Sequence, residues 1–242
     1  MTDILIVTGV EIEARALARE LGLPALPAPS FPLFGRGAVR VAPVGLRASL
    51  LSPRWDSLVS GFHRPLIISA GTCGGLDPQL ASGDLILPES VLGPSGERLN
   101  VTPSSHRAAV SVAGGSGRAG CLVTTREVVQ TAADKAELRA RTGAVAVDME
   151  SSIILTAASA AGCPSLVVRG VSDDARAGLP RELVGLINPH GRVRRARAIA
   201  LAVTHPAAIP RAIALQRSTM QALRAVARLL ATLMAHSGNN GA

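Results

Sequence analysis

The chain has 242 residues, 48% apolar but only 2% aromatic and without a Tyr. That is enough for an aliphatic core in one large α/β domain or two small ones, and too few rings for a base-stacking nucleic-acid platform. The formal charge of +8 is one-sided: from His190 onward there are eight Arg and no Asp or Glu, so residues 1–189 are formally neutral and the tail suits an anionic partner. Three widely spaced cysteines (Cys73, Cys121, Cys163), without metal-ligand spacing, predict reduced thiols and no metal site. The N-terminus MTDILIVTGVEIEARAL carries acids and lacks the basic start of a signal peptide. No segment offers about twenty uninterrupted apolar residues for a membrane span. The expectation is a cytoplasmic protein.

In chain order, Ile4–Val7 reads as a buried strand, followed by Thr8-Gly9-Val10 and a helix from about Glu11 to Leu21. Glu11 and Glu13 stand in its first turn, where acids also suit the positive end of a helix. Residues 23–37 (LPALPAPSFPLFGRG) predict an irregular loop, either a spacer or an apolar lip over a pocket. Ala38–Val44 is a strand, and Arg47–Leu51 opens the next helix. Pro65–Ala70 is a buried strand flowing into Gly71-Thr72-Cys73-Gly74-Gly75. Such a turn exposes N–H groups that can cradle a phosphate, although the same glycines also serve plain tight turns. Asp84–Pro88 is a short strand, and residues 93–120 read as long loops around one short helix, Ser105–Val112. Cys121–Thr124 is a strand and Thr131–Arg141 a charged surface helix.

Residues 144–174 hold the densest signal. A strand, Ala144–Val147, runs into Asp148-Met149-Glu150; a helix, Ser151–Ala161, follows; and a strand, Leu166–Val171, ends in Ser172-Asp173-Asp174. Both acidic clusters fall at carboxyl ends of strands, where open α/β sheets bind ligands. Two carboxylates in one cleft can divide the work, one holding hydroxyls and the other handling a proton. Strands alternating with helices predict a single-domain three-layer α/β/α sandwich with a mixed, mostly parallel central sheet. The catalytic core is expected over 1–189. Basic helices over 190–235 pack on it, and 236–242 form a frayed tail. The last helix, about Ala207 to Ala235, places Arg217, Arg224 and Arg228 on one side and Leu215, Val226, Leu230 and Leu233 on the other.

Three blocks, Ile4–Leu17, Ile67–Asp84 (IISAGTCGGLDPQLASGD) and Ala144–Asp174, occur in the order and at about the spacing of the purine nucleoside phosphorylase/uridine phosphorylase family. Over them the chain resembles the branch that includes the methylthioadenosine/S-adenosylhomocysteine nucleosidases. The runs LPRELVGLINPHGRVR and THPAAIPRAIAL, with the basic last helix, are most similar to the hopanoid-associated phosphorylases, which remove adenine from adenosylhopane in bacterial hopanoid synthesis.

The resemblance implies the roles. Asp173 would share a proton with purine N7, with Ser172 orienting it; Arg169, on the same strand, could instead lower its pKa. Glu150 would take the ribose 2′- and 3′-hydroxyls, Met149 would pack on the sugar, and Val128 would fall near the base. Glu13 matches the acid that positions an attacking water, and Thr72, beside Gly71, would hold that water or a phosphate. Phosphorolytic relatives usually carry Arg near Ser69 and a more basic first loop than Thr8-Gly9-Val10. A phosphate would therefore rely on Arg47, Thr72 and Gly9, or on Arg36 and Arg40 of a neighbouring subunit. No cofactor is implied; inorganic phosphate stays open as a co-substrate.

The partners expected are a small-molecule or lipid-linked adenosine and further copies of the chain, as a homodimer or larger assembly. The arginine-bearing C-terminus would meet the inner face of the cytoplasmic membrane. Methylthioadenosine, S-adenosylhomocysteine and futalosine are the alternative substrates. A non-catalytic nucleoside-binding module is the alternative from another class. Nucleic acid is not expected, because the arginines alternate with core-facing apolar residues.

Overall fold

The structure, a computed structural model, describes residues 2–27, 31–178, 188, 190, 191, 194, 204 and 209–239. The first half contains β1 (Ile4–Thr8), α1 (Glu11–Glu20), β2 (Phe34–Arg36), β3 (Val39–Pro43), α2 (Leu51–Val59), β4 (Leu66–Gly75), β5 (Leu85–Ile86), β6 (Ser90–Leu92) and β7 (Arg98–Asn100). The second contains α3 (Pro103–Ala113), β8 (Gly117–Arg118), β9 (Cys121–Thr124), α4 (Ala132–Thr142), β10 (Ala146–Asp148), α5 (Ser151–Ala160), β11 (Ser165–Asp173) and α6 (Ile209–Asn239). The described strands form one sheet in the order β2-β3-β1-β4-β10-β9-β6-β7, with β11 between β4 and β5 and β8 beyond β5. Pairings of β1 with β3 and β4, of β11 with β4, and of β9 with β6 and β10 are parallel. Those of β10 with β4 and β11 with β5 are antiparallel. The sheet is thus mixed and mostly parallel, in one domain, as expected.

Period-two alternation in apolar strands feeds a core on each face. Ile4 and Ile6 of β1 join Leu17 of α1 and Leu223, Val226 and Leu230 of α6. Leu5 and Val7 join Leu58 of α2 and Ile154 and Ala158 of α5. Each such fully buried aliphatic contributes on the order of 1.5–3 kcal/mol. Gly170 lets α6 lie directly on β11, since a Cβ there would stand 2.7 Å from the Ala222 carbonyl oxygen. The last helix is therefore the core cap its pattern indicates: Val226, Leu230 and Leu233 are buried and Arg217, Arg224 and Arg228 exposed. It continues to Asn239, past the boundary drawn at 235. Among the described residues no helix is long and apolar enough to cross a membrane.

Four local readings need correction. The glycine-rich run 71–75 is not a turn: β4 continues through it, pairing with β11 on one side and through Gly74 and Gly75 with β10 on the other. The run is paired strand, and its Thr72 N–H is taken by the Glu13 carboxylate, so the phosphate-cradling turn is absent. The loop 23–37 contains β2, whose Phe34 pairs with Val41 and is buried on the core. Within 93–120, Arg98–Asn100 pairs with Ser90–Leu92 as a hairpin. Residues 46–48 form a single tight turn with left-handed Arg47 (φ 55°) and Ala48 (φ 49°), and α2 starts only at Leu51. Residues 179–187 and 189 lie outside the described residues, as does most of 190–208, where the basic C-terminal helices are expected to begin.

Candidate active site

A cavity of about 290 Å³ opens where β1, β9, β10 and β11 end, against the far half of β4. Gly9, Glu13, Thr72, Val128, Met149, Glu150, Ser172 and Asp173 all line it. The three acids come from separate segments: Glu13 from the first turn of α1, Glu150 from the junction of β10 and α5, and Asp173 from the end of β11. All three are buried.

Glu13 is fixed from β4. Its Oε1 accepts from the Thr72 N–H at 2.8 Å and from the Thr72 hydroxyl at 2.9 Å, while the Val10 N–H reaches Oε2 at 3.4 Å. Gly71 is not in the cavity wall; it is the clearance behind it. A Cβ there would lie 2.6 Å from Arg169 Nη1 and 2.8 Å from Glu13 Oε1. Gly9 has the same function for Glu150, whose carboxyl carbon would be 2.8 Å from a Cβ at that position.

Glu150 accepts from the backbone N–H of Arg47 at 2.9 Å. Burial, then the charge of Asp148, pushes its pKa up to about 8 against the pull of Arg169. The Arg47 guanidinium points elsewhere, donating to the Arg126 carbonyl at 2.5 Å and to Glu127 at 3.4 Å. Arg40 is bonded to the carbonyls of Leu58 and Ser60 and stacks over Phe62, and Arg36 is exposed on β2.

Below the cavity lies a buried polar network. Arg169 pairs with Asp148 Oδ2 at 2.7 Å and donates to the hydroxyls of Ser69 and Ser151. Asp148 also accepts from the Thr124 hydroxyl and the Ser151 N–H. Burial opposes the charge on Arg169, but Asp148, Glu150 and Glu13 outweigh it and raise its pKa. Burial pushes the Cys73 thiol up as well, which leaves it inert as a nucleophile.

Asp173 does not pair with Arg169. A register shift lies between Val171 and Asp173, and the carboxylate meets Lys135 Nζ at 2.5 Å and the Ser172 hydroxyl at 2.7 Å. Lys135 stands apart on α4, otherwise the charged surface helix expected. It is 1% exposed, shares a buried side with Leu138, and lines the cavity. Sequence reasoning missed it, although its i, i+3 spacing to Leu138 was a usable signal. It also missed Leu46, Leu215 and Thr219 as wall residues. Among the described residues no group of His, Cys, Asp and Glu could hold a metal ion.

An acid-lined cavity at the strand ends of such a sheet stands where open α/β sheets bind their ligands. The model of the Phosphorylase superfamily matches residues 58–204, and the chain belongs to that superfamily, as an enzyme of its nucleosidase/phosphorylase class. It is 29% identical over 201 residues to the futalosine hydrolase of Streptomyces coelicolor, covering 70% of this chain and 83% of that one. It is 28% identical over 153 residues to the DeoD-type purine nucleoside phosphorylase of Roseobacter denitrificans, covering 57% and 65%. Among solved structures, a mutant of the Helicobacter pylori methylthioadenosine/S-adenosylhomocysteine nucleosidase holding 5′-methylthioadenosine in its active site superimposes with a TM-score of 0.72 at 15% identity, covering 98% and 99% of the chains. The futalosine hydrolase of Helicobacter pylori gives 0.72 at 16% identity, covering 97% and 98%.

Proposed function

We propose that this chain releases adenine from a 5′-substituted adenosine by hydrolysis, with a water held by Glu13 and Thr72 as nucleophile. The observation that carries this reading is the convergence of Glu13, Glu150 and Asp173 on one cavity, with Glu13 bound by both donors of Thr72. Cleaving the bond from C1′ to purine N9 needs a proton for the leaving base, support for a cationic sugar and an attacking oxygen. Asp173 gives the proton to N7 and Glu150 holds the sugar diol, with Met149 against the ring and Val128 towards the base. Glu13 takes the proton of the water that attacks C1′. A phosphate in that place would face the Glu13 carboxylate, and the Arg47 guanidinium is engaged outside the cavity. Both favour water. Phosphorolysis is the second reading, supported by the likeness to a purine nucleoside phosphorylase.

For the 5′-substituent we propose the hopane skeleton. Its support is the sequence likeness over 179–194 and 204–215, most of which lies outside the described residues, together with apolar Val10, Leu46 and Leu215 in the wall. The exposed row Arg217, Arg224 and Arg228 would carry the enzyme to an anionic bilayer, which such a lipid leaves only at about 0.8 kcal/mol per CH₂. Methylthioadenosine, S-adenosylhomocysteine and futalosine are the competing substrates. Self-association belongs to the same reading; its support is the groove of about 770 Å³ beside Trp55, Ile153 and Ala157 on α2 and α5.

The deciding assay presents these nucleosides, and adenosylhopane in anionic vesicles, with and without phosphate, and measures free adenine or hypoxanthine. The expected outcome is adenine release from adenosylhopane, unchanged by phosphate. A phosphate requirement would replace hydrolysis by phosphorolysis. Release from the soluble nucleosides alone would remove the lipid substrate, and no release from any of them would end the nucleosidase reading. Light scattering tests self-association.

A further inference from the structure

The chemistry so far makes no use of Lys135. Its Nζ lies 2.5 Å from Asp173 Oδ2 and 2.6 Å from the Asp174 carbonyl oxygen, at the cavity wall. An ammonium taken out of water persists only where it is paired. On the other side of the carboxylate, the Ser172 hydroxyl has one proton and two acceptors in reach: Asp173 Oδ1 at 2.7 Å and the Cys73 carbonyl at 3.1 Å. Both contacts become hydrogen bonds together when Asp173 carries a proton on Oδ1 and donates it to Ser172, which donates its own to Cys73. A protonated Asp173 thus has a partner waiting, and a proton source sits on its other oxygen.

We propose that Lys135 and Asp173 share a proton, Lys135 recharging Asp173 as the purine leaves. The inference rests on the nucleosidase reading of the cavity. From the resting ion pair, as the C1′–N9 bond breaks and its electron pair enters the purine, Asp173 takes a proton from Nζ and passes a proton on to N7. Lys135 is left a neutral amine beside a carboxylate. Water forms the new C1′–O bond and yields a proton to Glu13, so the net charge of the cavity is unchanged. Loss of that proton to solvent and uptake of another by Lys135 reset the site. An arginine could pair with Asp173 but would keep its proton; a buried lysine can release one.

Among the described residues, Cys73, Glu13, Asp148 and Glu150 share the cavity wall with the pair, Arg169 stands behind Asp148, and Asp174 adjoins Lys135. The Asp148 carboxylate is held by Arg169, and that of Asp174 by the N–H groups of Arg176 and Ala177. One turn further along α4, Arg139 pairs with Asp77.

The test compares Lys135→Arg and Lys135→Met with the intact chain, measuring kcat and KM from pH 5 to 9. Lys135→Arg is expected to leave KM and the melting temperature nearly unchanged and to lower kcat about 100-fold. Residual turnover by Lys135→Met is expected to climb towards low pH, where solvent protonates Asp173. Lys135→Arg keeping more than about a third of kcat would overturn the proposal, because charge alone would then suffice. If Lys135→Met does not fold, Lys135→Arg decides. A readout without turnover is calorimetric binding of free adenine in two buffers of different ionisation enthalpy. Proton exchange in the intact chain that is lost in Lys135→Arg supports the pair, and equal exchange in both overturns it. An intact chain that cleaves no nucleoside sinks the nucleosidase reading; one that turns over beside indifferent variants sinks only the role of Lys135.

Discussion

Arg169 and Lys135 are both 1% exposed, and each meets one carboxylate, Asp148 at 2.7 Å and Asp173 at 2.5 Å. Around Arg169 the partners are side chains of the sheet and of the first turn of α5: Ser69, Ser151 and, through Asp148, Thr124. Of that pair only Asp148 reaches the cavity wall, whereas both members of the Lys135 pair line it. Arginine holds its proton permanently and lysine does not. The same sheet therefore carries one ion pair suited to fixing geometry and one suited to moving charge.

The difference is sharpest for the carboxylates. Asp173→Asn keeps an oxygen for the Lys135 N–H but cannot pass on a proton. Its kcat is expected to fall by about 10²–10⁴-fold, with the circular dichroism spectrum unchanged. A variant retaining most of its turnover would take the proton step away from Asp173. The Arg169 pair should fail differently, through folding. Arg169→Met strands the Asp148 charge among apolar strands, and urea unfolding is expected to show a loss of about 3–5 kcal/mol. Adding Asp148→Asn should return part of that loss, since the uncompensated charge goes with it. A strictly additive double variant would mean the two side chains do not act as a unit.

How far the sequence reveals these pairs follows from their physics. The apolar strands β1, β3, β4, β9, β10 and β11, with α1, α5 and the strand-end acids at 150 and 173, are legible because they are local patterns, while Glu13 stands out through the family resemblance. Lys135 and Asp173 are 38 residues apart, and Asp148 and Arg169 are 21 apart. A pairing between strands or layers leaves no local trace of its own. The glycines at 71–75 mislead for a related reason: a turn and a strand that must leave room for neighbouring side chains both call for Gly. At Gly71 the reason is the carboxylate of Glu13 and the guanidinium of Arg169, neither of them near in sequence. The hairpin of β6 and β7 is hidden because its three-residue strands are too short to show a period.

Glu150 offers a smaller effect that also separates the two regions, because Asp148 helps raise its pKa and Arg169 restrains it. In the folded chain that pKa is about 8, against an ordinary value of 4.5. Between those two pH values the folded chain holds a proton that the unfolded chain has released, so stability falls as pH rises through the window. Glu150→Gln removes that contribution. The intact chain should lose stability relative to the variant between about pH 5 and pH 8.5, measured as the difference of their urea unfolding free energies. A difference independent of pH would mean the carboxyl is charged throughout.

Arg47 should give the smallest response, although it stands beside Glu150. What it lends the cavity is its backbone N–H, 2.9 Å from Glu150 Oε1, held in a left-handed turn at φ 55°. Its side chain is half exposed and bonded to Arg126 and Glu127. Arg47→Ala keeps the N–H and exchanges one non-glycine residue for another at the same φ, so no new backbone strain arises. The lost surface contacts are worth about 0–1 kcal/mol in stability. The expected change in kcat/KM for the nucleoside is under about threefold, and no dependence on phosphate should appear or disappear. If the guanidinium instead swings inward to clamp a phosphate, the variant's phosphate-dependent rate would drop tenfold or more while its phosphate-free rate stayed level. Glu13 and Arg47 would then be competing for the same anion site from opposite sides, and water would no longer be the favoured nucleophile.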